Sequence, residues 1–163
     1  MAAGATYEPI ATQTLASAGT ITFSSIAASW TDLRLVVVSA DPSGSNGVYL
    51  RFNGDSASNY SQTRLTGDGT TAGSTAQRNQ TEMYVAPNNT TLGLATADIF
   101  SYAGSTYKTV LNTGSNDLNG SGYVQRVVGL WRSTAAITSI YVSSGLANFA
   151  IGTTATLYGI LKA

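Results

Sequence analysis

Apolar and polar residues alternate in twos along almost the whole chain, and that pattern decides what the polypeptide can become. In "GVYLRFNGD", Val48, Leu50 and Phe52 fall on one face while Tyr49, Arg51 and Asn53 fall on the other, the period of a half-buried strand. No window of helical length carries an apolar stripe at i, i+3, i+4, i+7, and β-branched residues, which lose side-chain freedom in a helix, are spread throughout. The pattern predicts about ten short strands, over residues 21–26, 32–39, 48–53, 60–65, 82–86, 92–102, 107–112, 123–132, 137–143 and 154–161. Turn residues punctuate them at Asp41-Pro42-Ser43-Gly44, Asn53-Gly54, Gly67-Asp68-Gly69, Pro87-Asn88-Asn89, Asn119-Gly120 and Ser144-Gly145, because Asn, Gly and Asp tolerate the backbone angles that tight connections need. Short, evenly spaced strands without helix are the mark of an all-β sandwich or barrel. At 163 residues the expected architecture is a two-sheet antiparallel jelly-roll sandwich, with residues 21–163 as one domain. Residues 1–20 read equally as an N-terminal arm or as a first strand.

Composition narrows the chemistry. The chain has neither cysteine nor histidine, so disulfides, thiolate nucleophiles, the usual general base and the commonest metal ligands are absent. Eight basic residues balance eight acidic ones without runs, which leaves no field to hold a phosphate backbone. No apolar run approaches the roughly 20 residues of a membrane-spanning helix. The N-terminus has no basic n-region and no apolar h-region, which argues against a classical secretory signal. Only 10% of the residues are charged, while Ser, Thr, Gly and Asn fill the polar positions. Such a surface carries little repulsion between copies and suits an assembly component.

The acids are the first candidates for a functional site. Asp55 and Asp68, with Arg51 and Arg64 beside them, lie at strand ends where turn chemistry accounts for them; replacing Asp55, Asp68 or Asp117 by Asn is expected to leave assembly intact, since Asn serves in most turns that accept Asp. Asp117, Asn119, Ser121 and Gly122 spell the first half of a calcium loop, but the twelfth position is Val128 where a bidentate Glu is needed. A Ser or Thr nucleophile would depend on Lys108, Lys162 or a carboxylate as base, and no nucleophile elbow, phosphate-binding loop or dinucleotide fingerprint is present. Nine tyrosines and two tryptophans could offer a sugar-stacking surface, although most of the tyrosines fall in strands, where packing explains them. The expectation is a protein without catalysis, metal or cofactor.

Three strands are apolar on both faces. Leu33, Leu35 and Val37 oppose Val36 and Val38; Tyr123, Val127 and Trp131 oppose Val124, Val128 and Leu130; Leu157 and Leu161 oppose Tyr158 and Ile160. A sandwich strand needs one inward apolar face, so the second must meet something else, most simply another copy. Val36, Val38, Leu130 and Ile160 are the expected interface residues.

The segments "YEPIATQTL", "ITFSSIAASWTDLRLVVVSA", "YLRFNGDSASNYSQTRL" and "ATLYGILKA" resemble small virion proteins of tailed bacteriophages, especially phages of cyanobacteria. The resemblance implies a jelly-roll trimer that decorates or cements a capsid, or alternatively a tail-fibre or receptor-binding module that recognises host surface glycan. It brings no catalytic residues with it. The expectation is therefore a homotrimer made in the host cytoplasm and placed on the capsid surface of the virion, in contact with the major capsid protein and with neither nucleic acid nor membrane. In the N-terminal segment Tyr7, Pro9, Ile10 and Leu15 are the candidate partner contacts, apolar anchors spaced by small polar residues.

Overall fold

The computed structural model describes residues 6–44, 46–145 and 147–161, and among them there is no helix. Twelve strands form: β1 (Tyr7–Thr14), β2 (Ile21–Phe23), β3 (Asp32–Ser39), β4 (Asn46–Phe52), β5 (Tyr60–Gly67), β6 (Ala72–Gln80), β7 (Met83–Asn88), β8 (Gly93–Ile99), β9 (Lys108–Asp117), β10 (Gly122–Trp131), β11 (Ile140–Ser143) and β12 (Thr154–Ile160). They make two antiparallel sheets, an eight-stranded one in the order β1-β12-β3-β8-β9-β10-β5-β6 and a four-stranded one in the order β2-β11-β4-β7.

Two strands are additional to the predicted ten. β1 pairs with β12, with an irregularity between Pro9 and Ala11, so Tyr7–Thr14 is a strand of the larger sheet. β6 pairs with β5 and has no apolar alternation to announce it, because eight of its nine residues are exposed and both of its faces meet solvent. Elsewhere the ends shift: β8 stops at Ile99 instead of residue 102, and β9 runs on to Asp117.

Between the sheets lies one apolar core, to which the large sheet contributes Leu33, Leu35, Val37, Ile99, Val110 and Leu157, and the small sheet Ile21, Leu50, Phe52, Met83, Ile140 and Val142. The turns that deliver these strands follow the expected chemistry. Asn53 and Gly54 both have positive φ (53° and 70°), and Asp55 N donates to Phe52 O (2.9 Å), the signature of a type I′ turn, which here leads the chain from β4 in the small sheet towards β5 in the large one. Asn53 does more than turn the chain. Its Oδ1 accepts from Thr138 N (2.8 Å) and Ser139 N (3.1 Å), and its Nδ2 donates to Ala136 O (2.8 Å), tying the end of β4 to the segment before β11.

The sheets approach most closely where β7 crosses β9 and β10. A Cβ on Gly114 would run into Ala86 Cβ and lie 2.8 Å from Ala86 Cα, while the three atoms nearest to one on Gly129 all belong to the Met83 side chain. Met83 can change rotamer, whereas the β7 backbone cannot move without shifting the whole sheet. Gly114→Ala is therefore expected to destabilise by about 1–3 kcal/mol and Gly129→Ala by clearly less. Urea unfolding of the two variants checks the order, and equal losses would contradict it.

Candidate assembly surface

One face of the eight-stranded sheet is covered by the smaller sheet; the other is bare. The register places side chains in rows across the bare face. One row runs Thr154, Val38, Leu94, Ser115, Val124, and the next Thr156, Val36, Thr96, Thr113, Arg126, Leu65. A third runs Tyr158, Arg34, Asp98, Leu111, Val128, Thr63. The large apolar side chains here stand well into solvent: Val124 is 67% exposed, Leu65 60%, Val128 47%, Leu94 45% and Val38 40%. Single exposed hydrophobics are ordinary, but neighbouring ones on one sheet face are not.

The charges on this face are already engaged. Arg34 Nη1 lies 3.5 Å from Asp98 Oδ1, Arg126 Nη1 donates to Thr113 Oγ1 (2.8 Å), and Asp32 Oδ1 accepts from Ser101 N (2.6 Å). The surface is thus apolar, threonine-rich and locally neutral. Shallow grooves cross it, one lined by Val38, Leu92, Leu94 and Val124, another by Leu65, Thr113, Val124 and Arg126. With strands about 4.8 Å apart and about 3.3 Å per residue, the face measures on the order of 800 Å². That equals what one partner contributes to an interface of standard size.

All four expected interface residues lie on this face. Val38 is exposed, and Val36, Leu130 and Ile160 are half-buried among their neighbours. Sequence reading missed Leu65 and Leu94, the exposed leucines of these rows. Their signal was an inverted phase: in β8 the small Ala95 and Ala97 point inward while Leu94 points out, and in β5 Tyr60 and Gln62 are buried while Leu65 is exposed.

The N-terminal candidates divide between two environments. Tyr7 is exposed and sets its ring edge-on to Tyr158 (6.5 Å, 82°), and Pro9 is exposed beside the strand irregularity. Ile10 and Leu15 pack against the core instead, and Leu15 N donates to Thr153 O (2.9 Å). Removing Met1 to Leu15 would therefore strip a strand and part of the core lining.

The acids weighed as catalytic residues serve as hydrogen-bond hubs. Asp55 Oδ2 accepts from Trp131 Nε1 (2.7 Å) and Asn59 Nδ2 (2.9 Å), and its Oδ1 accepts from Ala57 N (2.9 Å). Trp131 packs on Phe52 (5.4 Å) and stacks on Tyr60 (6.4 Å), and burial pushes the Tyr60 phenol up to about 12. Both Asp55 oxygens are spoken for, so Asn, with a donor in place of one acceptor, would not serve equally there. Asp68 and Asp117 remain turn residues: Asp68 Oδ1 accepts from Thr70 N (2.8 Å) and Thr71 N (2.6 Å), and Asp117 Oδ1 accepts from Gly120 N (3.2 Å). Asn119 and Gly120 have positive φ (63° and 91°) between β9 and β10, so the calcium-like spelling forms a tight hairpin. Lys108 is buried, which pushes its ammonium down, and Nζ donates to Gly104 O (2.6 Å) and Thr106 O. Lys162 lies outside the described residues. Among the tyrosines, Tyr84 has its face covered by Arg64 (4.6 Å), its ring met edge-on by Tyr49 (5.4 Å) and its hydroxyl bonded to Gln125 (2.7 Å), so it offers no open ring for a sugar.

A hub missed by sequence reading is Asp41. Fully buried, it accepts from Ser43 N (2.8 Å) and Ser43 Oγ (2.6 Å) at Oδ1, and from Asn46 Nδ2 (2.6 Å) and Ser144 Oγ (2.8 Å) at Oδ2. Asn88 Nδ2 donates to the same Ser144 Oγ (2.9 Å), and Asn88 Oδ1 accepts from Ser39 Oγ (3.0 Å). The network clamps the end of β3, in the large sheet, to β4, β7 and the end of β11 in the small one.

Burial by itself would raise the Asp41 carboxyl, but hydrogen bonds from Ser43, Ser144 and Asn46 outweigh it and hold the group below the usual carboxylate range. Asp55 shows the same balance, burial opposed and outweighed by Asn59, Trp131 and the Ala57 backbone. A folded pKa below the unfolded value of about 3.9 gives stability that is complete above that value and is lost as pH falls through the folded pKa. Stability should therefore fall below about pH 4. Asp41→Asn should flatten that acid limb and cost about 1–3 kcal/mol at neutral pH, as read by urea unfolding across pH; an unchanged acid limb would contradict the assignment. No protein-family model matches this chain, and no curated protein matches it.

Proposed function

We propose that this chain is a non-enzymatic structural protein of a tailed-phage virion, a homotrimeric capsid decoration or cement protein that works by assembly. The observation that carries the reading is the bare face of the eight-stranded sheet: apolar, neutral, and as large as one side of a standard interface. Water is a poor neighbour for Leu65, Leu94, Val124 and Val128 together, and burying them between copies supplies the driving force. Three copies meeting around an axis through this face leave the rest of each sandwich free to touch the major capsid protein.

The strand order supports a jelly roll as the finer description. The small sheet takes the second, eleventh, fourth and seventh strands, and the large sheet runs third, then eighth to tenth, then fifth and sixth. Two rolled Greek keys give this arrangement, with the β8-β9-β10 meander occupying one strand's place and β12 and β1 extending the edge. The likeness of the quoted segments to small phage virion proteins points the same way.

Val124→Asp tests the interface, because an unpaired carboxylate buried between copies costs several kcal/mol. The expected result is a trimer by light scattering for the unaltered chain and a folded species of one chain mass, 16.8 kDa, for the variant. A monomeric unaltered chain at micromolar concentration would refute self-assembly through this face. Cryo-electron microscopy of virions tests the location: density at local three-fold positions of the head is expected, and density on the tail would overturn the cement reading.

A further inference from the structure

A sheet that ends in solvent leaves a row of unpaired backbone N–H and C=O groups, and proteins that stay apart from their copies blunt that row. Among the described residues the two sheets have four edges, of which three are closed. On β1, Pro9 removes a donor and the irregularity beside it breaks the line. β2 is three residues long, and Gln13 Nε2 donates to Thr22 O (2.7 Å). β7 carries Pro87 and is met from the large sheet at Tyr84, whose N donates to Gln62 Oε1 (2.7 Å) and whose O accepts from Asn112 Nδ2 (3.5 Å).

β6 has none of these devices over residues 72–77. That run holds no proline and no charge, pairs regularly with β5 from Gly67↔Ala72 to Gln62↔Gln77, and is exposed on both faces. Among the described residues, no hydrogen bond other than those to β5 reaches the backbone of residues 72–77; at Arg78, past that run, the carbonyl accepts from Gln80 Nε2 (2.8 Å).

We infer that this edge takes the same edge of a second copy, antiparallel, joining two eight-stranded sheets into one. The number of open edges selects the occupant. A ring or filament needs two different open edges on each copy, whereas a chain with one can only present it to its own kind across a two-fold axis. Keeping the sheet faces continuous puts that axis on a residue, and the regular run centres on Ser74 or Thr75. With the axis on Thr75, Gly73 faces Gln77 and Ser74 faces Ala76; with it on Ser74, Ala72 faces Ala76 and Gly73 faces Thr75. Small uncharged side chains meet in both registers, so no like charges oppose the pairing. The contact is narrow, so it is favoured where copies are concentrated. It is separate from the bare sheet face and does not rest on the function proposed above.

The absence of cysteine makes the test direct, since Ser74→Cys and Thr75→Cys each introduce the chain's single thiol. Facing residues of an antiparallel pair have Cα atoms about 4.5 or 5.5 Å apart, within the roughly 4.4–6.8 Å that a disulfide spans. Mild oxidation of the concentrated full-length protein should convert one of these two variants into a covalent pair of twice the 16.8 kDa chain mass on a denaturing gel. Thr12→Cys, on the closed β1 edge, should stay single. If neither variant links faster than Thr12→Cys, or if all three link alike as random collision would have it, the pairing is wrong. Ser74 stands beside Leu65 on the bare face, whereas Thr75 stands beside Arg64 on the other, so both cysteine variants are also oxidised in the Val124→Asp background: linking that persists there reads the edge alone, and linking lost with the trimer overturns the pairing.

Discussion

Everything in this sandwich depends on how closely β7 lies on β9 and β10. Gly114 and Gly129 remove the side chains that would hold the sheets apart, and Ala86 and Met83 fill the space from the other side. The approach brings polar side chains of the large sheet within reach of the β7 backbone, so Gln62 and Asn112 can serve Tyr84 where a neighbouring strand would otherwise be needed. It also decides which side of the large sheet is inside. With Leu35, Ala97 and Val127 turned toward the small sheet, Val36, Thr96, Val128 and their neighbours have no choice but to face out.

Charge is used sparingly and locally. A buried carboxylate is expensive unless donors surround it, and Asp41, just past the end of β3, meets that condition with two hydrogen bonds from Ser43 and one each from Asn46 and Ser144 on the small sheet. Asp55, half-buried, accepts three, one of them from the indole at the centre of an aromatic cluster. Each hub ties residues far apart in sequence, which a turn residue alone does not do. The few remaining charges on the bare sheet face neutralise each other or bond to hydroxyls and backbone, so they leave that face free of repulsion.

The two proposed self-contacts draw on different physics. The bare face offers side chains and is governed by apolar area; the β6 edge offers backbone and is governed by hydrogen bonding in register. A chain with one charged residue in ten lacks the usual means of keeping copies apart, and both surfaces follow from that economy.

The sequence by itself determined the fold class, because period-two alternation is a local property that helices cannot satisfy. It placed most strands within a few residues and put Val36, Val38, Leu130 and Ile160 on one outer face. It could not reveal β6, whose residues bury nothing and so leave no periodic trace, nor Asp41 as a hub, since its partners at Ser43 and Asn46 look like ordinary turn residues and Ser144 is 103 positions away. It left residues 7–14 open between arm and strand, because what holds them is pairing with β12 at the far end of the chain. Only the tertiary structure decided which apolar faces are covered, since that depends on where a second sheet of half the width comes to rest. Backbone pairing between distant strands and the approach of two sheets are long-range events, and alternation along a single strand carries no record of them.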